Sequence, residues 1–120
     1  MGKTVVERRD SLRVKVDDDI TVYDPLENRI LGYLNNISEK GIRLESVNMF
    51  ESGVEYPMLI EFPGDREREF HMEVRCLWVG EFEENPDYYS AGFEFLGLSK
   101  ENLRFIRDLK DYYANRKKKG

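Results

Sequence analysis

The chain has 120 residues, 40% hydrophobic and 36% charged, which suits one folded domain with a core of its own. One cysteine and one histidine exclude an internal disulfide and any zinc site built only from those two residue types, and fit a reducing, cytoplasmic setting. The net charge of −5 argues against a generic DNA or RNA binder, and no apolar run has the length of a membrane helix or the placement of a signal peptide.

Taken in chain order, the first element is a basic arm. Residues 1–16 carry five basic side chains against Glu7 and Asp10, a balance of +3. Arg116 to Lys119 add +4 at the other end, which leaves −12 on residues 17–115. From Leu12 the pattern has period two: Leu12, Val14 and Val16 alternate with Arg13, Lys15 and Asp17, as in a half-buried strand. Asp17 to Asp19 form a polar turn, Ile20 to Tyr23 a second strand, and Asp24-Pro25 with Glu27-Asn28 the next turn. Ile30 to Asn36 read as a strand, with Gly32 marking a bulge or a close backbone approach. Ile42 and Leu44 resume after a break at Asn36 to Gly41.

The second half continues in this style. Met58, Ile60 and Phe62 share one face between the turns at Ser52-Gly53 and Pro63-Gly64-Asp65. Phe70, Met72, Val74, Cys76 and Trp78 form the apolar face of a long strand, which assigns Trp78 to core packing and Cys76 to the role of a small buried hydrophobe. His71, Glu73, Arg75, Leu77 and Val79 form its opposite face, with His71 exposed. An acidic loop spans Gly80 to Pro86, and Ala91, Phe93 and Phe95 mark a last strand. Short strands with polar turns predict a small antiparallel barrel, whose closure removes exposed edges. The period then changes to helical. Ser99 is placed as an N-cap, Leu98 and Leu103 as a hydrophobic staple, and Leu103, Ile106, Leu109 and Tyr113 as the apolar stripe of a helix that packs on the barrel. The organisation is a basic arm over 1–13, a barrel over 12–98 and a helix over 99–117, forming one domain.

Two constellations carry chemistry. Arg9 and Arg13 stand four apart, next to Arg8, immediately before the first strand. Each guanidinium is a planar fork that pairs with phosphate or with the O6/N7 edge of guanine, a geometry lysine does not provide. The second is Asn36-Ile37-Ser38-Glu39-Lys40-Gly41, where Asn36 and Ser38 offer polar groups from one face of an extended segment and Gly41 permits a close approach. By itself this stretch is an ordinary turn. No nucleophile–base pair and no phosphate-cradling glycine loop is present, so no catalytic activity is expected. The triple aspartate lacks the glycine and distal glutamate of a calcium loop.

Together, in this order, the two motifs resemble those of the PilZ domain family, small β-barrel receptors for the bacterial second messenger cyclic di-GMP, marked by RxxxR in an N-terminal arm and D/NxSxxG on the barrel. Gly41-Ile42-Arg43-Leu44, Val74 to Val79 and Gly92-Phe93-Glu94-Phe95 also resemble strands of that family. The resemblance implies a mainly β fold, a PilZ-type barrel with a C-terminal helix. It implies Arg9 and Arg13 as ligands of guanine and phosphate, Asn36 and Ser38 as polar contacts, and Gly41 as the residue that admits them. Arg8 is expected to add a stacking plane that favours a stacked pair of ligands. The expected partners are cyclic di-GMP, whose binding orders the arm, and an effector protein. No other cofactor, no metal, no DNA or RNA and no membrane insertion is expected, and the chain is expected to be a monomer or weak dimer. A PilZ-like interaction module that leaves the nucleotide site unused is the alternative.

Overall fold

The computed structural model describes residues 14–15 and 20–119, with side chains from Ile20 to Asn115. Arg8, Arg9, Arg13, Leu12, Val16 and the Asp17 to Asp19 turn lie outside the described residues. The elements are β1 (Val14–Lys15), β2 (Thr21–Asp24), β3 (Arg29–Ile37), β4 (Gly41–Ser46), β5 (Glu55–Phe62), β6 (Asp65–Glu81), β7 (Tyr89–Phe95) and α1 (Lys100–Lys119).

Six strands close on themselves. The hydrogen-bonded order runs β3-β2-β5-β6-β7-β4, and β4 pairs back onto β3, so an antiparallel barrel results. β1 adds to the far end of β3, with Val14 opposite Ile37 and Lys15 opposite Asn36. The predicted alternation supplies most of the core: Val22, Leu34, Ile42, Leu44, Met58, Ile60, Phe70, Val74, Cys76 and Phe93 are all buried, and Ile37, read as part of a break, ends β3 and is buried with them. The β2–β3 turn is held by Asp24, whose Oδ1 accepts from the amides of Leu26 and Glu27, and Asn28 supplies the left-handed residue at φ 55°. Gly64 does the same for the β5–β6 hairpin at φ 83°.

Helix α1 begins as expected, with Ser99 Oγ accepting from the Asn102 amide at 3.0 Å. It packs against the barrel through Phe105, Ile106, Leu109 and Tyr113, all buried. Phe105 sits 4.9 Å from Phe70 and 5.5 Å from Phe62, ring to ring. Leu103 is only half-buried, so Phe105 takes the position in the stripe that the period assigned to Leu103. No helix among the described residues is long and apolar enough to cross a membrane.

The side assigned to Trp78 is overturned. Trp78 is 42% exposed rather than part of the core. The cause is a bulge: Cys76 pairs with Phe93 and Trp78 with Gly92, so Leu77 is the extra residue. An inserted residue reverses inside and outside for everything beyond it. Cys76 still faces in, Trp78 turns out, and Val79, read as outward, packs against the core instead.

Candidate functional site

The Asn36 to Gly41 segment is a hairpin whose reversal is Glu39-Lys40. Ser38 N–H donates to the Gly41 carbonyl at 3.0 Å, and Ser38 Oγ accepts from the Lys40 amide at 3.1 Å. A two-residue hairpin usually needs left-handed residues. None occurs here, and the Ser38 hydroxyl supplies the missing restraint. Ser38 is buried, with 1% exposure, so its first task is to fix the loop. Gly41 has no positive φ; what it needs is space. A Cβ at this position would lie 1.9 Å from the Phe93 carbonyl oxygen, so the close approach is that of β7 to β4.

Glu39 ties this hairpin to the helix. Lys110 Nζ donates to both its carboxylate oxygens, at 3.0 and 3.2 Å, with the two side chains 17% and 29% exposed. Burial alone would raise the Glu39 pKa. The Lys110 hydrogen bond, a backbone hydrogen bond and the charges of Lys110 and Arg107 outweigh that and hold it below the ordinary value.

Asn36 owes its orientation to a second bulge. Leu34 pairs with Leu44 and Asn36 with Arg43, which leaves Asn35 as the extra residue in β3. Strict alternation would send Asn36 inward with Leu34; the bulge turns it out beside Arg43. A row of registered positions then crosses four strands on the outer surface, Asn36, Arg43, Gly92 and Trp78, and β1 pairs with its end at Asn36. Directly opposed residues share a face. Gly92 leaves the middle of the row flat, and the indole of Trp78 lies over it, since a Cβ there would meet Trp78 Nε1 at 2.2 Å. The Arg43 guanidinium stands 5.5 Å from the Trp78 ring centroid, and its Nε donates to the buried Ser90 hydroxyl at 3.0 Å. Asn36 Nδ2 donates to Asn35 Oδ1, and Asn35 Nδ2 to Glu45 Oε2. The face thus joins amide donors and acceptors, a fixed guanidinium and an exposed aromatic plane.

Residues 7–114 match the PilZ domain family. The chain belongs to that family. Its fold agrees. Against the PilZ domain of YcgR from Escherichia coli, solved with c-di-GMP, the TM-score is 0.72 at 13% identity, covering 94% of this chain and 96% of that one. Against the K. pneumonia MrkH–c-di-GMP complex it is 0.72 at 16% identity, covering 96% of this chain and 57% of that one. Against the Bacillus subtilis inhibitor of motility, MotI/DgrA, it is 0.69 at 18% identity, covering 93% and 52%. At these identities the likeness is one of fold, and this chain spans only about half the length of the latter two. No curated protein matches it in sequence.

Of the PilZ motif residues read from the sequence, the structure brings Asn36, Ser38 and Gly41 into one hairpin, with Asn36 on the outer face. Arg8, Arg9 and Arg13 lie outside the described residues. Sequence reasoning missed Arg43, Trp78 and Ser90. The available signal was the run Cys76-Leu77-Trp78-Val79, four apolar residues that break the alternation of β6, together with a glycine in mid-strand at Gly92.

Proposed function

We propose that this PilZ domain is a cyclic di-GMP receptor, a binding protein and not an enzyme, that passes its occupancy to a partner protein. The observation that carries the reading is the register of β1. Lys15 sits opposite Asn36, so the chain leaving the Arg9–Arg13 motif is fastened beside the strand that carries the second motif. Arg13 is two residues before Lys15 in the sequence, which supports the reading that the two motifs serve one site.

In this reading Arg9 and Arg13 grip phosphate and the O6/N7 edge of guanine from the arm. Asn36 meets the base from the barrel side, while Ser38 and Gly41 act by holding the hairpin that presents it. Asn36 is a neutral acceptor where an aspartate would give a charge-assisted bond, so its share of the affinity is modest. Arg43 and Trp78 supply a guanidinium and an aromatic plane within the same row, suited to a purine. Arg8 adds another plane and favours a stacked pair, which calorimetry reads as two nucleotides per protomer. The nucleotide draws the arm over the face and so alters the surface a partner meets; a ligand that prefers one form shifts the population by its differential affinity.

Titration of cyclic di-GMP into the wild type and into Arg9→Ala and Arg13→Ala tests this. Loss of a buried, charged, forked contact is expected to cost on the order of 2–5 kcal/mol in binding. Equal affinity in all three proteins would overturn the reading, and no binding to any of them would leave the interaction-module alternative.

A further inference from the structure

From the surface at the β2–β3 end of the barrel we infer that this chain carries a docking groove for a cationic, apolar segment of a partner protein, which adjoins the Asn36–Arg43–Trp78 row at Glu45 and extends away from it. Four of the large hydrophobic side chains most open to solvent lie on neighbouring segments: Leu26 on the β2–β3 loop and Ile30 just inside β3, at 80% and 49% exposure, and Val47 and Met49 on a second loop after β4, at 64% and 65%. The second loop has its polarity inverted. Ser46 is buried and its Oγ donates to the Leu31 carbonyl at 2.6 Å; Asn48 donates to that same carbonyl through Nδ2 and to Ser46 Oγ through its amide. The polar residues are thus turned in and tied to β3, while the apolar ones between and beyond them face water.

Such an inversion does nothing for the core, and hydrogen bonds to the Leu31 carbonyl and Ser46 hold it in place, so little ordering is required on contact. Ile30, Tyr33, Val47 and Tyr88 line a hollow of about 280 Å³ here. Tyr33 and Tyr88 continue into a second of about 300 Å³, shared with Glu45 and Asn85. Exposed apolar side chains with tyrosines among them mark contact surfaces. The occupant's charge follows from the rim. The loop that leads into Tyr88 holds Glu81, Glu83, Glu84 and Asp87, all exposed, with no basic residue from 81 to 88. Glu45 adds a carboxylate inside the second hollow. A segment that places Leu, Ile or Phe into the hollows and Lys or Arg over the rim satisfies both features.

The test uses the full chain, labelled with ¹⁵N and free of nucleotide, so its outcome is independent of cyclic di-GMP binding. The probes are two twelve-residue synthetic peptides with the same Leu, Ile and Phe positions, one with Lys and Arg between them and one with Asp and Glu. The cationic peptide is expected to shift amides of Ile30 to Tyr33, Ser46 to Asn48 and Asn85 to Tyr88, with the anionic peptide at least tenfold weaker. Ile30→Ser with Val47→Ser, shown to be folded by unchanged amide shifts away from the two segments, is expected to weaken the cationic peptide at least tenfold; Glu83→Gln with Glu84→Gln is expected to weaken it severalfold and flatten its salt dependence. No binding of the cationic peptide, shifts scattered over the acidic surface, or affinity indifferent to the Ile30 and Val47 changes would each overturn the inference.

Discussion

At the scale of single residues, two glycines in neighbouring positions of the barrel wall do different work. Gly41 faces backbone: the Phe93 carbonyl oxygen occupies the place of its missing Cβ. The atoms nearest to a Cβ on Gly92 belong instead to a side chain, the Trp78 indole. A strand cannot step aside, whereas an indole on an exposed face can. Gly41→Ala is therefore expected to lower stability by about 1–3 kcal/mol, the usual cost of overpacking, measured by denaturant unfolding. Gly92→Ala is expected to change stability by less than about 1 kcal/mol while pushing Trp78 off the face. Trp78 is the only tryptophan in the chain, so its emission reports that displacement directly. On the receptor reading, Gly92→Ala also weakens cyclic di-GMP while leaving the hairpin of Ser38 and Gly41 intact. Unchanged emission in Gly92→Ala, or a Gly41→Ala variant as stable as the wild type, would contradict this division of roles.

At the scale of elements, alternation and the change to helical period made the strands, the turns and the helix readable, because each is a local property of consecutive side chains. Ser99, Leu109 and Tyr113 stand where the sequence put them. The bulge expected at Gly32 is present in the β2–β3 pairing. Those at Asn35 and Leu77 were harder to read, since the apolar run Cys76 to Val79 marks a break in alternation without saying which residue is extra, and that is fixed only against a partner strand. Their consequence was the face of the site: Trp78 was assigned to the wrong side, and Asn36 was recognised from its motif rather than its orientation. The link between hairpin and helix was equally hidden, because Glu39 and Lys110 are 71 positions apart. This pair ties the PilZ motif loop to α1, and its removal is expected to be felt in both. Lys110→Met is expected to lose about 1 kcal/mol of stability at neutral pH, since both partners are less than a third exposed. The Glu39 carboxyl is held below its ordinary value of 4.5, so the contribution is complete above that value and fades as pH falls through the lower, folded one. Unfolding curves of wild type and Lys110→Met should therefore converge in acid; a gap that persists below the depressed value would point to lost packing rather than lost charge.

At the scale of the whole molecule, the charge is divided rather than merely negative. Residues 1–16 carry +3, the body −12 and the tail +4, so a long polyanion meets repulsion over most of the surface, whereas on the receptor reading a small dinucleotide need only reach the arginines. The two cases differ in how they respond to salt. A protein that neutralises 6–10 phosphates loses roughly 10³- to 10⁵-fold in affinity between 50 and 200 mM salt. On the receptor reading, cyclic di-GMP brings two phosphodiester charges, and its attraction to the arm is opposed by the body within a Debye length of roughly 10 Å at 0.1 M. Added salt screens both terms, so their changes offset. The nucleotide's affinity is accordingly expected to vary by less than about fivefold over that range, read from Trp78 emission, while a labelled twelve-nucleotide single strand shows no saturable binding by anisotropy at 150 mM salt. A steep salt slope for the dinucleotide, or saturable binding of the oligonucleotide, would mean that the arm and tail act together as a nucleic-acid surface rather than the arm acting as one wall of a small site.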